Sequence, residues 1–496
     1  EAWKHSERGG PIESSLLYYR ARVDLASGHP DKAIKVAATA SKQDPTPNWA
    51  WQLEYAHGRA EEALGRREAA AAAYDRSIGK LEDLRRDLAF DEMKSWLLDS
   101  KRQPFEALFL LQAQAGNATD ALATVERALA RTFLDAYLHA SSSGDQPNQD
   151  SWSDASLERM EGLETLLPVM SESPVAAVQP INRVLDALAN RHALVYFEAG
   201  KKLWLMTLAE GKVSLRALAL PAAELRRLAD RFLAHPNDSR TASSLGDALL
   251  PAGSLPRAGE PLVVVTDGLL GNIPFAALRR GDHFLAEDHS IVFVPSLSAL
   301  AAIEKGSGAT SAPPLILVDP LGNLPAAQSE GLEVAKSLGG VSLTGGQALS
   351  RTLAKASGAR VLHLATHTGL GPRGAWLQLA DRRISASEIV GRRIRPRLAV
   401  LASCSSGVRT GRQMWGSLGA AFLAAGSRAV LASLWPVDDQ HTREFVHRFY
   451  QEGGAVDPAT ALAQAQRVAI REGVSPNDWA PFVLFGTNRP LNEAHF

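Results

Sequence analysis

A histidine and the chain's single cysteine each stand just past an apolar run, and this pair is where the sequence could do chemistry. The run 361–369, VLHLATHTG, delivers His367, and the run 398–407, LAVLASCSSG, delivers Cys404. A thiolate attacks a carbonyl carbon far better than a thiol does, and a neighbouring imidazole can hold an ion pair with it or take its proton during attack. The same imidazole can then protonate a leaving amine. Ser403, Ser405, Ser406 and Gly407 are small, so a peptide backbone could come close and amide N–H groups would be left for a developing oxyanion. Taken singly, each residue has a blander reading, because lone cysteines and lone histidines more often pack than react.

For the two side chains to meet, their strands must be neighbours that end at one edge of a sheet. From residue 192 onward the chain alternates short strand-like runs with amphipathic helices, which predicts an α/β layered domain with a largely parallel sheet. Strand candidates are 193–197, 203–208, 213–220, 262–266, 291–294, 315–318, 361–365, 398–403, 429–433 and 482–485. The continuous apolar runs among them imply burial on both faces, and chemistry is then expected in the loops beyond their carboxyl ends.

The first 135 or so residues read differently. Leu, Ala, Tyr and Arg recur at helical spacing, and three glycines each precede an alanine by five residues: Gly28 with Ala33, Gly65 with Ala70, Gly116 with Ala121. In a paired-helix repeat the glycine lets the turn close and the alanine lets the helices approach. Ala40, Pro45, Gly58, Tyr74, Leu108 and Ala128 add matches to a degenerate tetratricopeptide pattern. An irregular helical bundle is the alternative. A concave repeat surface would bind a peptide or a partner domain. The stretch 141–154, SSSGDQPNQDSWSD, breaks every periodicity and marks a boundary. The predicted division is 1–140 helical repeats, 141–190 linker and connecting helices, then a domain whose halves are 191–310 and 311–496.

Composition sets limits. Of 496 residues 45% are apolar, and 53 basic side chains face 54 acidic ones, so the chain is an ordinary globular protein with no global field for nucleic acid or anionic membrane. One cysteine rules out an internal disulfide and any zinc site built on two thiolates. No apolar run of about 18 residues is present, so no membrane association and a cytoplasmic location are expected. His363 and His367 are four apart but on a strand-like run with no glutamate after the first, which argues against a zinc-protease helix; no metal or other cofactor is expected. The arginines at 382, 383, 392, 393, 395 and 397 lack interleaved aromatics, and direct nucleic-acid binding is not expected of them.

The order strand–His, about forty residues, strand–Cys, a Gly/Ala-rich helix and LWPVDD resembles the CHAT family of caspase-like cysteine proteases, which often follow tetratricopeptide repeats. The resemblance extends from HALVYFEAGKKLW at 192–204 through VVTDGLLGNIPFAAL at 264–278 and FVPSLS at 293–298 to GSLGAAFLAAGSRAVLASLWPVDD at 416–439, the stretch 459–466 and NDWAPFVLFG at 477–486. It implies a caspase-like three-layer α/β sandwich with a pseudo-caspase first half, 191–310, and a catalytic second half, 311–496. By motif match it assigns the base to His367 and the nucleophile to Cys404. The family commonly has glycine directly after the histidine, its amide helping to form the oxyanion hole; here Thr368 intervenes before Gly369, and either amide could serve beside that of Cys404. Related enzymes often recognise a basic side chain before the cut, which needs a carboxylate in the pocket. Asp438 and Asp439, beside Trp435, and Asp319 are the candidates; the competing reading makes them helix caps or turn residues.

The reading is a cysteine endopeptidase that cleaves a dedicated protein substrate, with the helical repeats docking a regulatory protein partner. The resemblance implies a setting in bacterial stress or antiphage defence. The alternatives are an inert scaffold whose repeats bind partner proteins, and self-processing as the only reaction.

Overall fold

The computed structural model describes residues 11–41, 46–86, 97, 100–129, 131–142, 179–306, 312–371, 374–403, 405–408 and 417–491. Among these, residues up to Ala128 form one compact unit and those from Leu129 another.

Glycine placement shapes the first unit. Its helices pair as Pro11–Ala26 with Pro30–Ser41, Pro47–Ala63 with Arg67–Arg86, and Gln103–Gln114 with Ala118–Leu129. Gly28, Gly65 and Gly116 close the three turns at φ of 75°, 72° and 76°, a conformation a side chain rarely tolerates. Ala33, Ala70 and Ala121, five residues on, are fully buried. At Gly58 a Cβ would lie 2.5 Å from the Tyr74 ring, so that tyrosine packs on bare backbone. Ala40, Leu108 and Ala128 are buried as well, while Pro45 lies outside the described residues. The region is all-helical and built as tetratricopeptide-like repeats.

The second unit is organised around an eleven-stranded sheet. In chain order its strands are β1 Ala193–Ala199, β2 Lys202–Ala209, β3 Lys212–Pro221, β4 Leu262–Val265, β7 Ile291–Phe293, β8 Leu315–Val318, β9 Val341–Thr344, β10 Val361–Ala365, β14 Leu398–Leu401, β15 Ala429–Ser433 and β16 Phe482–Gly486. Between them β5 Arg279–Arg280 and β6 His283–Phe284 form a hairpin, and β11 Thr368–Gly371, β12 Gly374–Gln378 and β13 Arg383–Ser385 form a small antiparallel sheet. The large sheet runs β3-β2-β1-β4-β7-β16-β15-β14-β10-β8-β9. Its neighbours are parallel except in β1/β2, β2/β3 and β15/β16. The antiparallel β15/β16 pair divides it: β1, β4 and β7 point one way, and β8, β9, β10, β14 and β15 the other.

Alternation along β16 shows both faces covered. Phe482 stacks on Phe445 of the helix Asp439–Gln451, with ring centroids 4.3 Å apart. Phe485 faces the opposite helix Leu418–Ala425, where a Cβ on Gly419 would lie 3.0 Å from its ring. That helix is apolar all round and buried throughout, as befits a middle position. The helix Arg131–Ser142 belongs to this unit: Phe133, Ala136 and Tyr137 are buried, and the Tyr137 hydroxyl donates to Ala302 O at 3.2 Å. Compactness therefore places the division earlier than the loss of periodicity near residue 140 suggests.

Candidate active site

The mutually parallel strands β8, β10, β14 and β15 bring their carboxyl ends to one edge, where the amino end of β16 joins them. A cleft of about 80 Å³ opens there, lined by Leu324, Glu330, Thr366, His367, Thr368, Ser403, Val437, Asp439 and Phe482, among others.

His367 leaves β10 with its backbone clamped. Gln378 N–H donates to His367 O at 2.9 Å, and the Thr366 hydroxyl donates to Gln378 O at 2.5 Å. Thr366 N–H donates to Ser403 Oγ at 3.2 Å, tying the end of β10 to the end of β14. The partly exposed imidazole sets Nε2 3.0 Å from Asn323 Oδ1. An amide oxygen only accepts, so Nε2 carries a proton, and in the neutral imidazole the lone pair is then on Nδ1.

Asn323 is in turn placed by Asp319. Fully buried, at a left-handed φ of 44°, Asp319 accepts from Asn323 N–H at 2.8 Å and Leu324 N–H at 2.9 Å on Oδ1, and from Gln328 Nε2 at 2.6 Å on Oδ2. Its carboxylate thus shapes the loop after β8. Asn323 is the site residue that the motif reading missed. The turn-forming run DPLGN at 319–323, with an aspartate positioned to accept from backbone amides downstream, was the available signal.

Cys404 and its amide lie outside the described residues, but both flanks are fixed. The Ser433 hydroxyl donates to Ser403 O at 2.9 Å and accepts from Ser405 N–H at 3.1 Å. Gly407 N–H donates to Ser433 O at 2.9 Å, and Ser405 takes a left-handed φ of 56°. The end of β15 therefore sews down the turn on either side of position 404.

Thr368 and Gly369 belong to β11, whose register is Thr368↔Leu377, Gly369↔Trp376 and Leu370↔Ala375. Because Gln378 N–H bonds His367 O, the alternation of an antiparallel ladder turns the backbone groups of His367 and Gly369 toward β12 and those of Thr368 and Leu370 away from it. Thr368 also lines the cleft.

The other expected residues separate. Asp438 caps the helix Asp439–Gln451, accepting from Gln440 N–H at 2.9 Å and His441 N–H at 3.4 Å. Asp439 lines the cleft and is exposed. Trp435 donates its indole N–H to Asn477 O at 2.9 Å. Below the cleft, fully buried His363 has Nε2 2.9 Å from Glu330 Oε1 and Nδ1 3.2 Å from the Tyr450 hydroxyl. Burial and the Glu330 carboxylate push that hydroxyl well above the usual phenolic range. Among the described residues no cluster of His, Cys, Asp or Glu is arranged to hold a metal, and no helix is long and apolar enough to cross a membrane.

Strand order and layers define the class: a separase-like, caspase-type α/β fold behind a helical repeat region. The Saccharomyces cerevisiae separase–securin complex superimposes with a TM-score of 0.52 at 10% identity, over 96% of this chain and 47% of that one. By sequence, tetratricopeptide repeat protein 28 of Homo sapiens is 26% identical over 298 residues, and its Mus musculus counterpart 26% over 300. The aligned part is 47% of this chain and 12% of each relative, so only a small part of those proteins is spanned. The chain belongs to the CHAT domain family, which it matches over residues 225–487.

Proposed function

We propose that the chain is a cysteine endopeptidase with Cys404 as nucleophile and His367 as base. One observation carries this reading: the imidazole, oriented by Asn323, shares a cleft with Ser403, the residue directly before the cysteine. Nδ1 would take the thiol proton as Sγ attacks the scissile carbonyl, then give it to the leaving amine, and water would release the acyl-enzyme. For the oxyanion, the donors would be the amide of Thr368 or of Gly369 and, as the second, that of Cys404. Of the three carboxylates named for a basic side chain before the cut, Asp439 is the one on the cleft.

The substrate is a dedicated protein, and the tetratricopeptide-like repeats receive a regulatory protein partner; the setting that goes with the family resemblance is a stress or antiphage response. The test is a peptide-library cleavage profile with Cys404→Ala as control. Cleavage lost in the variant supports the peptidase. The competing reading, an inert domain behind partner-binding repeats, draws on the likeness to a repeat protein. It requires that the chain's one thiol react with iodoacetamide no faster than an ordinary cysteine near neutral pH.

A further inference from the structure

We infer that a second cavity, at the amino ends of β4 and β7, binds a free basic amino acid, of which arginine is the type. It shares no lining residue with the cleft and does not depend on the peptidase reading.

The cavity measures about 470 Å³, within the range of small-ligand sites. Its walls are the carboxyl end of the helix Ser239–Leu249, the approach to β4, the β5/β6 hairpin, and the short helix Leu285–Asp288 with His289 after it. Backbone contacts fix these pieces. A Cβ on Gly246 would collide with Arg279 O, so the helix rests directly on the hairpin. Gly259 N–H donates to Asp288 O at 2.7 Å, and His289 N–H donates to Leu285 O at 3.0 Å. Phe284, half-buried in the wall, meets the buried Trp479 ring edge to face with centroids 5.3 Å apart. A cavity ordered before binding avoids the cost of ordering its walls around a ligand.

The polar groups on it are unspent. His289 is only 3% exposed, and its Nδ1 lies 2.9 Å from Glu260 O. A carbonyl only accepts, so Nδ1 carries a proton, and in the neutral imidazole the lone pair is on Nε2, at the ring edge turned away from Glu260. Nε2 has no hydrogen-bond partner among the described residues. The carboxylates of Asp247 and Asp288 and the guanidinium of Arg280, exposed on the rim, likewise have neither an ion-pair nor a hydrogen-bond partner among the described residues. His283, also on the rim, has Nδ1 3.7 Å from Glu287 Oε1.

Complementarity then selects the ligand. Two carboxylates match two cationic N–H groups, Arg280 matches one carboxylate, and the nearly buried Nε2 takes one further N–H. Pro256, Phe284 and Leu285 supply apolar wall for a methylene stem. A free basic amino acid carries this set: an α-ammonium, a guanidinium or side-chain ammonium, and an α-carboxylate. Its net positive charge also opposes the net negative charge of the rim. A guanidinium that meets a carboxylate still has N–H groups to spare for Nε2.

Isothermal titration calorimetry of the intact chain with L-arginine and L-lysine provides the test. Three analogues each remove one feature: agmatine the carboxylate, citrulline the cationic head, and Nα-acetylarginine the α-ammonium charge. Saturable heat is expected from arginine or lysine, with each analogue of arginine weaker by about tenfold, the effect of one charge-assisted hydrogen bond. Asp247→Asn, Asp288→Asn and Arg280→Gln are surface changes that should leave the thermal transition in place and weaken arginine by about the same factor. The inference is overturned if neither arginine nor lysine gives saturable heat, if the three analogues bind as tightly as arginine, or if the three variants keep the wild-type affinity. Alkylation of Cys404 and its dependence on His367 are read separately, so this site and the peptidase reading stand or fall apart.

Discussion

On one side of the β15/β16 junction the parallel strands β4 and β7 run into buried polypeptide; on the other, β8, β10, β14 and β15 run into an open cleft. The strands themselves differ little, being short and buried in both halves. Their continuations are unlike. After β4, Asp267 is fully buried and accepts from Glu198 N–H at 3.0 Å; after β7, buried Ser296 caps the helix Leu297–Lys305 through Ala299 N–H at 3.0 Å. After β10 the backbone is satisfied by Gln378 and Ser403, and the His367 side chain meets Asn323 at the cleft. In the first half these side chains are consumed in closing the backbone's own hydrogen bonds.

That contrast can be broken by substitution. The largest effect is expected for His367→Ala, which should slow Cys404 alkylation near neutral pH, and any peptide cleavage, by roughly 100- to 10,000-fold while leaving the thermal transition nearly unmoved. Glu330→Ala removes the carboxylate that lies 2.9 Å from buried His363 Nε2 and should cost about 1–3 kcal/mol in urea denaturation, a loss of stability rather than of chemistry. In the closed half, Asp267→Ala should cost about 1–3 kcal/mol and leave the alkylation rate of Cys404 alone. A changed rate there would mean that the halves are coupled and the contrast is overdrawn.

Asn323→Ala should slow alkylation by about tenfold to a hundredfold, the cost of a loosened imidazole, with Asn323→Asp restoring most of it because an acceptor returns. The smallest effect concerns Glu333, on the helix Pro325–Leu338 that covers β8 and β9. Its ion pair with Arg443 holds its carboxyl below the usual range. A depressed folded pKa gives stability that is present above the unfolded value and lost as pH falls through the folded one. In Glu333→Gln the thermal transition should therefore depend less on pH on the acid side, and only slightly less, since the pair is solvated.

Much of this was legible in the residues. Buried central strands such as β8, β10 and β15 announced themselves as largely apolar runs with the observed bounds, because burial on both faces leaves little room for polar alternation. The edge strand β3 was foreseen at 213–220, but two other edge strands were not. In β9, Val341 is exposed and its neighbours are half-buried, so VSLT after two glycines carries no such imprint, and β11, TGLG, looks like a loop. The helical repeats were readable from three glycines, because a left-handed turn restricts residue type locally. Asp319 stood out for the right chemistry but in the wrong role. A carboxylate that could meet a substrate cation instead meets two amides of its own loop and Gln328 of the following helix, a distinction that depends on φ and burial and not on spacing.

The position of β16 also bears on synthesis. Last of the sheet's strands to leave the ribosome, it lies in the middle, between β7 and β15. Until residues 482–486 emerge the sheet exists as two unjoined pieces, and the cleft lacks Phe482 from its wall. A chain that stops before residue 482 would leave the two parts of the sheet without their shared middle strand and the cleft without that wall.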